Sequence, residues 1–196
     1  ALHSTLSANL ANLSSASGNV TAEFGGSGTF AGLIGNATVN VTAGNTFTTT
    51  AAIASGKTVT AAGNGNVAIT ALHSTLAANL SGLTSASGTV TAAFGGNGTF
   101  EGVLGNAVVT VADDVTMTAA ANVVDNKTIN KSGSGSNNGA LAVKIVSTAD
   151  DGAINLTTAG GGSGTATKTF EVTGNVTFTG TLHGSIKTSV ASGQTL

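Results

Sequence analysis

Apolar and polar residues alternate with a period of two in short runs along most of the chain. Residues 37–43 place Val39 and Val41 on one face and polar side chains on the other, and residues 66–70 do the same with Val67 and Ile69. Strict alternation over runs this short predicts half-buried β-strands rather than helices. The chain is therefore predicted to be rich in short strands.

The predicted strands are separated by glycine and asparagine. Both residues tolerate positive φ values, so they are typical of tight turns. A further turn is predicted at Asp151–Gly152, between two apolar stretches. The other predicted breaks are Gly18, Gly25–Gly26, Gly35–Asn36, Gly44–Asn45, Gly56 and Asn64–Gly65.

One leucine-rich segment fits two structures. Leu2, Leu6, Leu10 and Leu13 recur at helical spacing, but the first three also fit strand alternation. Periodicity alone does not decide between a helix and extended chain for apolar runs of this length. A short helix and a wide coil turn stay equally open for residues 2–13 and, by repetition, for 72–83.

The chain repeats itself with an offset of 70 residues. Residues 1–41 and 71–111 are identical at 29 of 41 positions. The pattern predicts a first copy at 1–70, a second at 71–139 with a polar insert at 132–139, and a divergent, truncated third copy at 140–196. In the third copy, GTLHGSI at 180–186 aligns with GTFAGLI at 28–34, and SGQTL at 192–196 aligns with AGNTF at 43–47. We expect the chain to be part of a longer array.

Fixed-period repetition of short strands predicts an all-β solenoid, or β-helix. The strand spacing predicts about three coils per 70-residue repeat, each of 21 to 24 residues and three short strands. The sequence contains no Pro, which fits a fold in which nearly every backbone N–H serves a ladder. Tandem small β-sandwich units, one per repeat, are the alternative.

Composition narrows the function classes. Charged residues make up 7% of the 196 residues, the net charge is −2, and Cys, Trp and Tyr are absent. Without Cys there is no disulfide scaffold and no thiolate nucleophile or metal ligand. Six Lys against eight acidic residues offer no basic surface for nucleic acid, and no apolar run is long enough to span a membrane.

The string GKTVTAAGNGNVAITALHSTLAANLSGLTSASGTVTAAFGGNGTF at 56–100 resembles the Thr/Ala/Gly-rich β-strand repeats of very large bacterial surface proteins. That group includes surface-layer proteins and giant adhesins. The resemblance covers residues 1–130 and, more loosely, 140–196. It implies an extracellular structural or adhesive role at the bacterial cell surface and carries over no catalytic residues. Many such proteins bind calcium through G-G-x-G-x-D repeats, but GGSGTF and GGNGTF lack the Asp.

Two pairs of acidic residues are the candidate metal ligands, Asp113–Asp114 and Asp150–Asp151. Adjacent carboxylates could contribute oxygen ligands to calcium. The alternative is that both pairs are solvated turns, which the sequence favours. No other cofactor is expected.

No catalytic residue is predicted, and we expect the protein not to be an enzyme. His3 and His73 occupy the same repeat position, which is typical of a structural residue, and no acid marks a Ser–His–Asp arrangement. Three functions are weighed. The first is a self-associating structural segment of a surface layer, fibre or adhesin stalk. The second is a carbohydrate-active β-helix enzyme or binding module. The third is an ice-binding solenoid, suggested by Thr-x-Thr runs such as 46–50.

The expected partners are further copies of the chain, in a filament or lattice, and a cell-surface glycan. Few charges or prolines guard the predicted strand edges, and exposed edges recruit further strands unless they are blocked. Lateral faces are expected to be rich in Thr and Asn, so that contacts between copies would be polar.

Overall fold

Strands from successive coils stack in parallel and form a β-solenoid of about seven turns. The computed structural model describes residues 2, 6–132, 140–145, 154–157 and 168–196. The strand pairs within this part of the chain are parallel. The predicted all-β solenoid is therefore confirmed, and the sandwich alternative does not describe the fold.

The chain divides into two compact units, of which the first comprises Ala1–Ala92 and Gly102–Ala107. Its strands pair in two sheets, in the orders β1-β3-β5-β7 and β8-β6-β4-β2. The last strand, β8, belongs to this unit only up to Ala92. The elements are β1 (Thr21–Phe24), β2 (Gly28–Thr29), β3 (Thr38–Val41), β4 (Thr46–Thr50), α1 (Ala51–Ala54), β5 (Val59–Ala61), β6 (Asn66–Thr70), a 3-10 helix (Leu72–Ser74), β7 (Leu83–Ser85) and β8 (Val90–Phe94).

The second unit comprises Ala93–Glu101 and Val108–Leu196. Its main sheet has the order β17-β15-β13-β11-β9, β10 pairs with β12, and β14 pairs with β16. The elements are β9 (Gly98–Phe100), β10 (Val108–Val111), β11 (Thr116–Ala120), α2 (Ala121–Val124), β12 (Ile129–Lys131), β13 (Ala140–Ile145), β14 (Asn155–Leu156), β15 (Lys168–Val172), β16 (Thr181–Leu182) and β17 (Ile186–Val190).

Alternation along each strand builds a narrow core. In β4, Phe47 and Thr49 are fully buried and their neighbours are half-buried. Stacking then places like residues in rows, so that Phe47 lies in register with Val67 and Val67 with Val90. The ring of Phe24 packs edge-on against Phe47 at 4.8 Å. Because large apolar side chains are few, these buried phenylalanines supply much of the hydrophobic stabilisation.

The coils are close to the predicted length. Ladder partners are 17 residues apart between Thr21 and Thr38, 20 between Val39 and Val59, and 24 between Val59 and Leu83. These steps agree with about three coils per 70-residue repeat. Strands pair with the next strand but one, so a coil contributes two strands to these ladders, where three were predicted.

Equivalent strands of the two copies lie in different sheets of the first unit. Thr91 of β8 is the counterpart of Thr21 of β1 at the 70-residue offset. Thr21 pairs with Thr38 of β3, whereas Thr91 pairs with Ala68 of β6. The sequence repeat therefore does not span a whole number of coils.

The leucine-rich segment of the second copy is a coil turn and not a long helix. Leu72–Ser74 forms a single 3-10 turn, and the chain is extended again at Leu83–Ser85. The buried side chains of Leu72 and Leu80 face the core. Their spacing therefore reflects burial at a corner.

The structure corrects one alignment of the third copy. At Gly32 an added Cβ would lie 1.9 Å from the carbonyl oxygen of Ala8, and at Gly102 it would lie 2.1 Å from that of Ala78. Gly180 makes the same approach, at 1.9 Å from the carbonyl oxygen of Ile154. Gly180 is therefore the structural counterpart of Gly32, and not of Gly28 as the alignment of 180–186 with 28–34 required.

Candidate functional site

Polar side chains at the coil corners bond to the backbone of the next coil. The side-chain oxygen of Ser27 accepts from the backbone N–H of Thr46 at 3.0 Å. Seventy residues later, Asn97 Oδ1 accepts from the N–H of Thr116 at 2.6 Å. Since these oxygens satisfy N–H groups outside the regular ladders, much of the Ser and Asn content has a structural explanation.

Asp113 and Asp114 lie in an exposed turn between β10 and β11. Asp114 has φ +58°, and its counterpart Gly44 has φ +77°. Asp is one of the residues that tolerate this conformation, so the pair fits the requirements of a turn. The described residues contain no group of three or more metal-ligating His, Cys, Asp or Glu side chains. Asp150 and Asp151 lie outside the described residues, and calcium binding stays a prediction.

The two described histidines occupy local turns. His73 is half-buried in the 3-10 turn. His183 Nδ1 lies 2.8 Å from Ser185 Oγ and accepts from the backbone N–H of Ser185 at 3.1 Å. His3 lies outside the described residues.

The Thr-x-Thr pattern of β4 is interrupted on the neighbouring strands. Thr50 lies in register with Thr70, but Thr46 faces Asn66 and Thr48 faces Ala68. The ice-binding prediction required threonine rows continuing from coil to coil. Across β4 and β6, only one of the three rows continues with threonine.

The second unit has a shallow groove of about 330 Å³ beside β9, β11 and α2. Phe100, Ala119, Ala120 and Val123 are among its lining residues, and Glu101 supplies a carboxylate. In the first copy Thr49 stands at the position of Ala119 and donates its hydroxyl to the carbonyl oxygen of Phe30 at 2.8 Å. The groove thus lies where the second copy has lost hydroxyl groups.

The first unit has a small polar cleft of about 200 Å³ where two coil corners meet. It is hereafter called the Lys57 cleft. The Lys57 ammonium donates to the carbonyl oxygen of Gly35 at 2.7 Å, and the Lys57 side chain is half-buried. The backbone N–H of Val39 donates to the carbonyl oxygen of Thr58 at 3.0 Å, which joins the two coils beside the cleft. Its lining residues are Gly35, Asn36, Ala37, Thr38, Gly56, Lys57 and Thr58.

Two lysines of the second unit are buried. Lys131 ends β12 and Lys168 begins β15. They are 8% and 3% exposed. Lys168 Nζ donates to Ser185 Oγ at 3.4 Å. Burial lowers the pKa of the Lys168 ammonium, and the positive charge of Lys131 lowers that pKa further.

The main sheet of the second unit ends at β17, which pairs with β15 on one side. Val190 lies in register with Val172, which is fully buried. Val190 itself is 43% exposed. A row of core residues therefore continues onto an edge strand that leaves its last member open to solvent.

Sequence reasoning predicted the Asp113–Asp114 turn but missed the Lys57 cleft and the buried lysines. The recurrence of GKT at 56–58 as NKT at 126–128 was visible and is the signal that could have drawn attention to Lys57. No comparable signal marks Lys168, because a strand ending in lysine looks solvent-exposed. In the described part of the chain, no helix has the length and apolar character needed to cross a membrane. Comparison with family models, curated protein sequences and solved structures finds no match to this chain.

Proposed function

We propose that this chain is a structural segment of a bacterial extracellular surface protein and that copies of it associate through their strand edges. The observation that carries the proposal is the open edge of β17, where Val190 extends a buried core row but is 43% exposed. Exposed apolar residues on an unpaired edge favour addition of another strand. The repeated coils and the surface-protein resemblance of residues 56–100 support the extracellular structural role.

The backbone of β17 offers hydrogen-bonding groups to an added strand. The N–H of Ala191 donates to the carbonyl oxygen of Val172, so residue 191 faces β15. Backbone direction alternates along a strand, so residues 187 and 189 also face β15 and residues 188 and 190 face the open edge. The N–H groups of Thr188 and Val190 are therefore available to a second copy.

The complementary edge is β1, the outermost strand of the four-stranded sheet. In β1, Phe24 is fully buried and Glu23 is exposed. Adding β1 of one copy beside β17 of another continues the parallel direction of the coils. It also brings Glu23 to the outward row that contains Lys187, so that the two opposite charges favour this pairing over β17 with itself.

Static light scattering of the full chain over a range of concentrations tests the proposal. We expect the average mass to rise with concentration. Thr188→Pro removes an N–H that faces the open edge and leaves the bonds to β15 intact, since proline is tolerated where the N–H faces solvent. Thr188→Ala keeps that N–H and is the matched control.

The proposal requires the proline variant to stay monomeric while the alanine variant associates like the unaltered chain. Far-UV circular dichroism establishes that both variants keep the fold. A monodisperse monomer of the unaltered chain at high concentration, with and without calcium, overturns the proposal. The same holds if both variants associate equally.

A further inference from the structure

The Lys57 cleft combines one cation with neutral hydrogen-bonding groups. Asn36 contributes an amide, and Thr38 and Thr58 contribute hydroxyls, from the corners that precede β3 and β5. Asn36 and Thr58 are exposed, so their polar groups are accessible to solvent. The cleft, of about 200 Å³, is smaller than the usual site for a drug-sized ligand, so it suits one small polar group.

Lys57 keeps donors in reserve. An ammonium group has three N–H donors, and the carbonyl oxygen of Gly35 takes one of them. Within the described part of the chain, Lys57 has no ion pair with a carboxylate. Half-burial beside a fixed carbonyl restrains the side chain, which lowers the entropic cost of binding an anion.

The cleft residues recur in the sequence of the second copy. Of the seven lining positions, five carry the same residue 70 positions later, including Lys57 as Lys127 and Asn36 as Asn106. The chain has only six lysines, so keeping one at this position in both copies is a specific feature. Repeated residues of this kind suit a ligand that is itself a polymer with a repeating charge.

We propose that the Lys57 cleft binds the carboxylate of a uronate sugar in an acidic polysaccharide. The ammonium of Lys57 pairs with the carboxylate, and the neutral groups of Asn36, Thr38 and Thr58 bond to the ring hydroxyls. One lysine among neutral groups suits a single carboxylate better than a phosphodiester chain, because dense polyanions are bound by clusters of Lys and Arg. The inference does not depend on association through strand edges.

Isothermal titration of the full chain with trigalacturonate tests this inference, with maltotriose and inorganic sulfate as separate titrants. We expect binding of trigalacturonate that weakens as salt is added, and at least tenfold weaker binding of maltotriose and of sulfate. Lys57→Gln combined with Lys127→Gln should weaken trigalacturonate binding at least tenfold. Lys187→Gln removes one exposed positive charge elsewhere and should leave the affinity within twofold.

A second variant keeps the test valid if loss of Lys57 damages the fold. Asn36→Asp places a negative charge at the exposed rim and leaves the bond from Lys57 to Gly35 in place. Repulsion between like charges a few ångströms apart should weaken trigalacturonate binding about tenfold, with an unchanged melting temperature. The inference is overturned if the unaltered chain does not bind trigalacturonate, or if Asn36→Asp binds it as tightly. Equal affinities for sulfate and trigalacturonate overturn the recognition of a sugar.

Discussion

Asn66 Oδ1 accepts two hydrogen bonds from Thr89 of the next coil, one from the backbone N–H at 2.9 Å and one from the hydroxyl at 3.1 Å. Asn175 does the same to Thr195, at 3.0 Å and 3.2 Å. One side-chain oxygen thus closes the gap that the backbone ladder leaves at a corner. Such bonds explain why a solenoid can carry polar residues at its corners without losing cohesion between coils.

Asn66→Ala should destabilise the chain because both bonds to Thr89 are lost. At about 0.5 to 1.5 kcal/mol for each hydrogen bond, we expect the free energy of unfolding to fall by about 1 to 2 kcal/mol. Chemical denaturation followed by circular dichroism measures the change. Asn64→Ala, at an exposed turn position of the same corner, is the matched control and should change stability by less than about 0.5 kcal/mol. Equal effects of the two variants would contradict the role assigned to Asn66.

Two glycines with similar backbone conformations should respond in opposite ways to substitution. Gly35 has φ +62°, and an added Cβ would lie 2.6 Å from the carbonyl oxygen of Leu10. Gly56 has φ +68° and open space around it, and its counterpart Asn126 has φ +54°. Gly35→Ala should therefore cost at least about 2 kcal/mol, from strain and from a clash with a neighbouring coil.

Gly56→Asn should cost less than about 0.5 kcal/mol, because asparagine already occupies this position in the second copy. Thermal melting of both variants beside the unaltered chain provides the comparison. A tolerated Gly35→Ala would mean that the two coils do not approach as closely as the structure places them.

The two short helices differ at their N-caps. Thr50 Oγ1 accepts from the backbone N–H of Ile53 at 3.4 Å, whereas Ala120 has no side-chain cap. The backbone at both positions is extended, with φ −80° and ψ 157° at Thr50 and φ −66° and ψ 151° at Ala120. Threonine should therefore cap α2 as it caps α1.

Ala120→Thr should raise the free energy of unfolding by about 0.5 to 1 kcal/mol, and Thr50→Ala should lower it by about the same amount. Denaturant titration of the single variants and of the pair decides the matter, with Ala120→Val as the control that adds bulk without a hydroxyl. If Ala120→Val stabilises as much as Ala120→Thr, the effect comes from filling the groove and not from capping.

Much of the fold could be predicted because local pattern and burial agree. Alternation in 37–43 and 66–70 corresponds to β3 and β6, and the turn glycines Gly35, Gly44 and Gly56 all have positive φ. The alignment of SGQTL with AGNTF is consistent with Gly193, whose φ of +79° matches +77° at Gly44. In these segments the chemistry of single residues was sufficient.

The remainder depended on contacts between coils, which a sequence pattern does not contain. Alignment by letters matched Gly180 to Gly28, but close approach to a carbonyl oxygen 26 residues earlier assigns it to the role of Gly32. The change of sheet between β1 and β8 is likewise set by ladder register. The Lys57 cleft was missed for the same reason, because Gly35 and Lys57 are 22 residues apart in the sequence and meet only across two coils.

Buried Lys168 should make the stability of the chain rise with pH in the alkaline range. Its folded-state pKa lies below the ordinary value of 10.5, first because of burial and then because of Lys131. Below the folded-state pKa both states hold the proton, and the cost of burying the charge is present in full. Between the folded-state pKa and 10.5 the unfolded chain binds more protons, so the free energy of unfolding increases as pH rises. Above 10.5 both states are neutral at this lysine and the dependence ends.

Lys168→Met should remove this alkaline rise, because methionine fills a similar volume without a charge. We also expect the variant to be at least as stable as the unaltered chain at neutral pH, since an apolar side chain carries no desolvation cost in this position. Denaturant midpoints measured from pH 7 to pH 10.5 give both quantities. Lys187→Met, on the exposed edge strand, should leave the slope unchanged. A slope that survives in Lys168→Met, or a neutral-pH stability well below that of the unaltered chain, would show that the ammonium of Lys168 stabilises the fold in its charged form.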